Sequence, residues 1–291
     1  MITTAMFWEN LPGGEAVKCN LCERRCIIND GAMGNCHVRM NFEGALKHIG
    51  YGILCGGNPE PIEKQPFSKF LPGSQTFVIG SPGCNFHCKY CINCGLSQLQ
   101  DKDIKWIDDK YISPSEIVES AIELGCESIT FAYTEPAIYY EYMYDVARRA
   151  KSSGLKTTMV TNGYMSLAPL THISKCIDAV NIDFKGTEEF YSEVCGNIKI
   201  EHVLQNIRNC RDLGLHTEVT TLIIPGYNDS MSQLKSIAKN IYDIDPNIVW
   251  HLTKFYPAYL MKNVPITSDF TLDMAKDIGE VVGLKNVVVW R

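Results

Sequence analysis

The stretch Thr76-Phe77-Val78-Ile79-Gly80-Ser81-Pro82-Gly83-Cys84-Asn85-Phe86-His87-Cys88-Lys89-Tyr90-Cys91 runs from an apolar, strand-like segment straight into a loop carrying three cysteines. Cys84, Cys88 and Cys91 are spaced C-x3-C-x2-C. Three thiolates on one short loop can hold three corners of a 4Fe-4S cube, which leaves the fourth iron without a protein ligand. An iron with open positions binds a small molecule, as a cluster closed by four cysteines cannot. The rest of the chain is then expected to build the pocket for that molecule.

From Thr76 onward, short β-rich runs alternate with longer amphipathic stretches. The strand-like runs are Thr76–Gly80, Ser128–Ala132, Thr157–Thr161, Ala179–Asp183, His216–Ile224 and Val249–Phe255. Helix-like stretches lie between them. Ser113 to Leu124 opens with a capping box of Ser113 and Glu116 and with Pro114 at the first position. The others are Tyr139–Ser152, Pro169–Lys175, Thr187–Val194, Ile200–Leu213 and Ser230–Tyr242. Six strand–helix units imply parallel strands joined by right-handed crossovers. The expected fold is α/β, a partial (β/α)6 TIM-like barrel over residues 73–291. Residues 1–72 read as a small Cys-rich metal-binding module. It ends in a loop-rich connection punctuated by Pro59, Pro61, Pro66 and Pro72-Gly73.

Composition narrows the class. The chain has 291 residues, 45% hydrophobic and 21% charged, as in ordinary globular proteins. A net charge of −6 argues against broad attraction to nucleic acid. No apolar run approaches the roughly 20 residues of a membrane span, and the N-terminus lacks the pattern of a signal peptide. The expected location is the cytoplasm. There thiols stay reduced, so clustered cysteines point to metal rather than disulfides. Cys126, Cys176 and Cys210 stand alone and read as buried apolar groups.

In parallel α/β folds, ligands bind beyond the carboxyl ends of the strands. Polar clusters sit at those ends: the cysteine loop, Tyr133-Thr134-Glu135-Pro136, Thr161-Asn162-Gly163-Tyr164, Asp183-Phe184-Lys185-Gly186, and Trp250-His251 on the sixth run. Taken singly, each is a turn, an ion pair or a buried histidine. Taken together, they fall at successive strand ends beside the cysteine loop.

This arrangement resembles the radical SAM superfamily, whose members bind a 4Fe-4S cluster through C-x3-C-x2-C and S-adenosylmethionine (SAM) at the open iron. The resemblance implies that Cys84, Cys88 and Cys91 are the cluster ligands and that Tyr90 lies near the adenine. It places Thr134 and Glu135 at the methionyl amino group, Thr161 and Asn162 at the ribose or carboxylate, and His251 in the same pocket. Asp183-x-Lys185 is similar to the D-x-K signature of pyruvate formate-lyase activating enzymes. In that group the lysine meets the SAM carboxylate and the aspartate helps to hold a monovalent cation; Val160 stands where they carry a further aspartate.

Gly34-Asn35-Cys36-His37-Val38-Arg39, Pro61-Ile62-Glu63-Lys64-Gln65-Pro66 and Tyr191-Ser192-Glu193-Val194-Cys195-Gly196 narrow the resemblance to the radical SAM proteins of the AmmeMemoRadiSam system. The implied function is reductive cleavage of SAM to a 5′-deoxyadenosyl radical that takes hydrogen from an unidentified small-molecule, peptide or protein substrate. An electron donor such as ferredoxin or flavodoxin would supply the electron. Cys195 is a candidate hydrogen donor or cross-link partner.

Two other readings stand beside this one. The first is a glycyl-radical activase, although the chain lacks the ferredoxin-like insert of many of them. The second is a non-catalytic iron–sulfur or zinc scaffold. Separately, Cys19, Cys22, Cys26 and Cys36, spaced C-x2-C-x3-C-x9-C, form a second candidate metal site. Zinc and a second iron–sulfur cluster are both compatible with all-cysteine ligation, and Cys55 is a substitute ligand.

Overall fold

A computed structural model describes residues 1–99 and 110–291. Its centre is an eight-stranded sheet. Seven parallel strands follow one another in chain order: Gln75–Gly80, Ser128–Phe131, Lys156–Thr161, Ala179–Asp183, His216–Ile223, Val249–Lys254 and Asn286–Trp290. Each new strand adds beside the last, so all the crossovers progress in one direction, as in a barrel rather than a doubly wound sheet. Among the described residues the two edge strands do not pair with each other, and the barrel is open.

The sheet is wider than the six expected strands. The segment Cys55–Pro61, from the proline-punctuated connection, adds antiparallel to Gln75–Gly80 as one edge. At the other edge, helix Asp269–Val282 leads into strand Asn286–Trp290. Gly283, at φ 111°, ends that helix in the left-handed conformation that glycine adopts without penalty. The capping box at Ser113 and Glu116 is present, with both reciprocal hydrogen bonds.

The inner parallel strands are buried almost throughout, which suits β-rich runs covered on both faces. Where polar side chains enter this interior they satisfy one another. The Thr76, Thr130 and Thr158 hydroxyls form a chain across three strands at 2.6 and 2.7 Å. The fully buried Glu218 carboxylate accepts from the Ser68 and Lys69 backbone N–H groups at 3.0 and 2.9 Å, and it also meets His216 and His251. Those four partners outweigh the burial that would raise its pKa and hold the carboxyl well below the usual range.

Residues Thr3 to His48 form two small antiparallel sheets. One is ordered Thr3–Thr4, Ala45–His48, Arg39–Phe42, and the other Trp8–Asn10, Ala16–Cys19, Ile27–Asn29. Their apolar residues Val17, Leu21, Ile28, Val38 and Leu46 belong to the same buried cluster as the main sheet. A buried ion pair fastens them to helix Tyr140–Ser152: Arg39 Nη2 lies 2.8 and 3.0 Å from the Glu141 carboxylate oxygens. The Met6 N–H donates to Glu141 at 2.7 Å, and His48 Nδ1 lies 3.2 Å from it.

Candidate active site

The cysteine loop is anchored on both sides. His87 N–H donates to Cys195 O at 3.1 Å and Lys89 N–H to Val194 O at 2.9 Å, so the loop runs against the end of helix Glu188–Val194. Gly196, at φ 87°, permits this contact, because a Cβ there would lie 2.9 Å from His87 Cβ. Gly83, at φ 101°, does the same on the other side, where a Cβ would meet Cys36 O at 2.7 Å. Arg24 straps the assembly by donating to Asn85 O and Gly196 O, each at 2.8 Å.

Above the strand ends lies a cavity of about 570 Å3. Cys84, Cys88 and Cys91 line it, with Tyr90, Thr134, Thr161, Asn162, Asp183 and Lys185. Its volume is that of a cofactor pocket. The three thiols differ electrostatically. Burial and the nearby Glu135 charge push the Cys84 thiol up, and burial raises Cys91. Cys88 is lowered by a hydrogen bond from Cys195, with Lys185 assisting. Among the described residues no three His, Cys, Asp or Glu side chains are already closed up in metal-holding geometry. The chemistry of the donor set, three thiols on one loop facing one cavity, fits a cluster bound at three corners.

Asp183 and Lys185 form an ion pair at 2.8 Å, and Lys185 Nζ lies 5.8 Å from the centre of the Tyr90 ring. Burial works against the Lys185 charge, yet the Asp183 carboxylate holds its ammonium above the ordinary range. Two residues outside the motif fix this turn. The Tyr191 hydroxyl receives the Lys185 N–H at 2.9 Å and donates to Asp183 O at 3.2 Å. Asn228 Nδ2 donates to Lys185 O at 2.8 Å. Neither was assigned a role in this turn from the sequence, where Tyr191 stands eight residues after Asp183 and Asn228 follows the next strand. Asn85 was missed as well: its Oδ1 accepts from Asn162 Nδ2 at 2.7 Å, joining the cysteine loop to the third strand end.

Glu135 and His251 stand apart from the residues that line the cavity. Glu135 is fully buried and does not line the cavity. Its carboxylate accepts from Ala137 N–H, Thr161 Oγ1 and Asn162 N–H at 3.0, 2.7 and 2.8 Å, so it holds the Thr161-Asn162 turn from behind. Burial pushes its carboxyl up to about 7 in spite of those donors. His251 is also fully buried and away from the cavity. It lies in mid-strand, with Nε2 2.5 Å from Glu218 and Nδ1 accepting from Trp290 Nε1 at 2.9 Å. Both ring nitrogens are used within the sheet.

Cys195 is buried behind Cys88 rather than on the cavity wall, and Cys94 is not among the lining residues either. Val160, which stands where the resembled activases carry a further aspartate, lines the cavity, and Asp183 is paired with Lys185. The cavity is also lined by Glu60, Lys64 and Gln65 of the N-terminal segment, by Lys254 at the end of the sixth strand and by Tyr256 just after it.

The family model of the Radical SAM superfamily matches residues 78–237. The chain belongs to that superfamily. Radical SAM proteins are enzymes, and membership implies a 4Fe-4S cluster and SAM. An uncharacterized protein of Methanocaldococcus jannaschii is 39% identical over 286 residues, 98% of this chain and 84% of the relative. A second protein of that organism, named as a glycyl-radical enzyme activating enzyme, is 27% identical over 180 residues, 59% of this chain and 65% of the relative. The crystal structure of a radical SAM methyltransferase from Sphaerobacter thermophilus superposes with a TM-score of 0.59 at 13% identity, covering 99% of this chain and 76% of that one. That likeness shows the shared radical SAM fold. Among the described residues no helix is long and apolar enough to cross a membrane.

Proposed function

We propose that this radical SAM enzyme cleaves SAM reductively and uses the resulting radical to take a hydrogen atom from a substrate held in the same cavity, which Glu60, Lys64 and Tyr256 also line. The observation that carries this reading is the convergence of Cys84, Cys88 and Cys91 with the Asp183–Lys185 pair on one cavity. A cluster bound by the three cysteines would supply one electron to the SAM sulfonium, breaking its carbon–sulfur bond to give methionine and the 5′-deoxyadenosyl radical.

The residues of the chain do the rest. Lys185 offers an ammonium in a water-poor pocket, where a charge-assisted hydrogen bond to a carboxylate is stronger than a neutral one. Tyr90, 7% exposed, lines the cavity and offers a ring face to an adenine. Thr134 and Asn162 present polar groups at neighbouring strand ends, and Glu135 keeps Thr161 and Asn162 in place. The N-terminal residues packed over the strand ends exclude water from the radical. An electron donor of the ferredoxin or flavodoxin kind would supply the electron, and the substrate would be a small molecule, a peptide or a protein residue. The glycyl-radical activase reading is favoured by one observation, the relative carrying that name. A glycyl doublet in electron paramagnetic resonance, after mixing with a partner protein, would separate it from the small-molecule reading.

The test is turnover. Protein reconstituted with iron and sulfide without oxygen, then reduced, is expected to convert SAM to 5′-deoxyadenosine and methionine in equal amounts. A reduced, cluster-loaded protein that releases neither product overturns the proposal. In the same assay Lys185→Ala is expected to raise the KM for SAM about 10-fold or more, the loss of a charge-assisted hydrogen bond of roughly 1.5–3 kcal/mol. An unchanged KM would remove Lys185 from the carboxylate.

A further inference from the structure

We infer that Cys19, Cys22, Cys26 and Cys36 hold one zinc ion, a structural centre separate from the catalytic cluster. The four thiols are 17 residues apart at most in sequence and come from different turns of the N-terminal segment. Cys19 ends strand Ala16–Cys19 and its N–H donates to Cys26 O at 2.9 Å. Cys22 opens the turn closed by Arg25 N–H on Cys22 O at 3.1 Å, and Arg25 takes φ 49°. Cys36 lies in the turn closed by His37 N–H on Gly34 O at 2.9 Å. All four line one cavity.

The cavity has two features that thiols alone do not explain. Arg39 and Asn85, each 1% exposed, also line it, and Arg39 Nε, Arg39 Nη1 and Asn85 Nδ2 find no hydrogen-bond partner among the described residues. Buried donors without acceptors destabilise a fold. Four thiolates around a divalent ion carry a net charge of −2, and their sulfurs accept hydrogen bonds. A guanidinium and an amide facing them are the complement of such a centre. Disulfides or neutral thiols would leave these donors without a strong acceptor, and all four cysteines are free.

Size favours one ion. The cavity measures about 10 Å3, against about 570 Å3 at the catalytic loop. So small a space suits a single tetrahedral zinc better than a four-iron cube. Among the described residues neither this set nor the catalytic cysteines is closed up into metal-holding geometry, so the two sets stand on the same footing. Binding would release the thiol protons and tie the turns together, because a small loop-rich unit draws folding energy from its metal. The tie matters for the active site. Cys36 O touches Gly83, Asn85 follows Cys84, and a β-bridge joins Cys22 to Met165 just past the Thr161-Asn162 turn.

The experiment is metal analysis of the full chain, and it does not depend on SAM chemistry. Protein purified without oxygen is expected to carry about one zinc per chain, as a four-coordinate structural site requires. The variant Cys84→Ala/Cys88→Ala/Cys91→Ala is expected to lose its iron and keep that zinc. Cys22→Ser/Cys36→Ser is expected to lose the zinc while binding iron at the catalytic loop. Cobalt offered in place of zinc is expected to give the intense visible absorption of a tetrahedral tetrathiolate site in the triple alanine variant. Absence of zinc from the triple alanine variant, iron with sulfide in its place, or zinc persisting after Cys22→Ser/Cys36→Ser would each overturn the inference. Should the serine variant fail to fold, the metal content and cobalt spectrum of the triple alanine variant still decide it.

Discussion

Cys88→Ala is expected to reduce formation of 5′-deoxyadenosine from SAM to background. The thiol is 8% exposed and is the one of the three whose pKa is lowered, through its hydrogen bond from Cys195 and the nearby Lys185 charge. Removing it leaves two ligands on the loop, too few to hold a cube against loss of iron. Cys195, buried directly behind it, is the thiol placed to substitute, so Cys88→Ala/Cys195→Ala is the stricter variant. Iron content, sulfide content and product formation are measured together. If the double variant still cleaves SAM at an appreciable rate, the cluster does not sit on this loop.

The second large effect concerns stability. Glu141→Ala is expected to destabilise the fold by about 3–5 kcal/mol, because it removes the carboxylate that pairs with the buried Arg39 guanidinium. The Met6 N–H would lose its partner as well. Glu141 also predicts a pH dependence. Burial raises its carboxyl, but Arg39 and His48 outweigh that and bring it down to about 2, from an ordinary value of 4.5. A carboxyl depressed in the folded state stabilises above its unfolded pKa. Its contribution is thus complete above pH 4.5 and is lost as pH falls toward 2. Urea unfolding of wild type and Glu141→Ala across that window is expected to show the gap between them closing on the acid side. A gap independent of pH would show that the pair does not act through charge.

Much of the fold was legible because its physics is local. Strands Ser128–Phe131, Lys156–Thr161 and Ala179–Asp183 are short β-rich runs, and the helices between them announce themselves by apolar spacing and by caps such as Ser113 with Glu116. The cysteine loop and Asp183-x-Lys185 were legible for a similar reason, since each places its chemistry within a few residues. The last helix and strand, Asp269–Val282 and Asn286–Trp290, escaped notice. The strand is only half-buried at a sheet edge and shows no alternation to read. The edge strand Cys55–Pro61 carries two prolines and two glycines, a composition that speaks for loop, and only pairing with Gln75–Gly80 makes it a strand.

At the site, the types of residue were readable from the chain, and their directions were not. Glu135 and His251 sit at or near strand ends in the sequence, like Asp183 and Lys185, and nothing local distinguishes them. Three-dimensional packing does. The Thr161-Asn162 turn supplies three donors that draw the Glu135 carboxylate behind the cavity wall, and Glu218 with Trp290 claims both nitrogens of His251. The chain alone determined the strand–helix rhythm, the three thiols on one loop and the charge pair beside them, because backbone periodicity and short spacings are properties of neighbours in sequence. Only the tertiary structure decided which carboxylate faces the cavity and which buttresses it, that Tyr191 and Asn228 hold the lysine turn, and that Arg39 and Asn85 share one small cavity with four cysteines. Those outcomes depend on buried polar groups finding partners far along the chain, and no local pattern records where such partners will be.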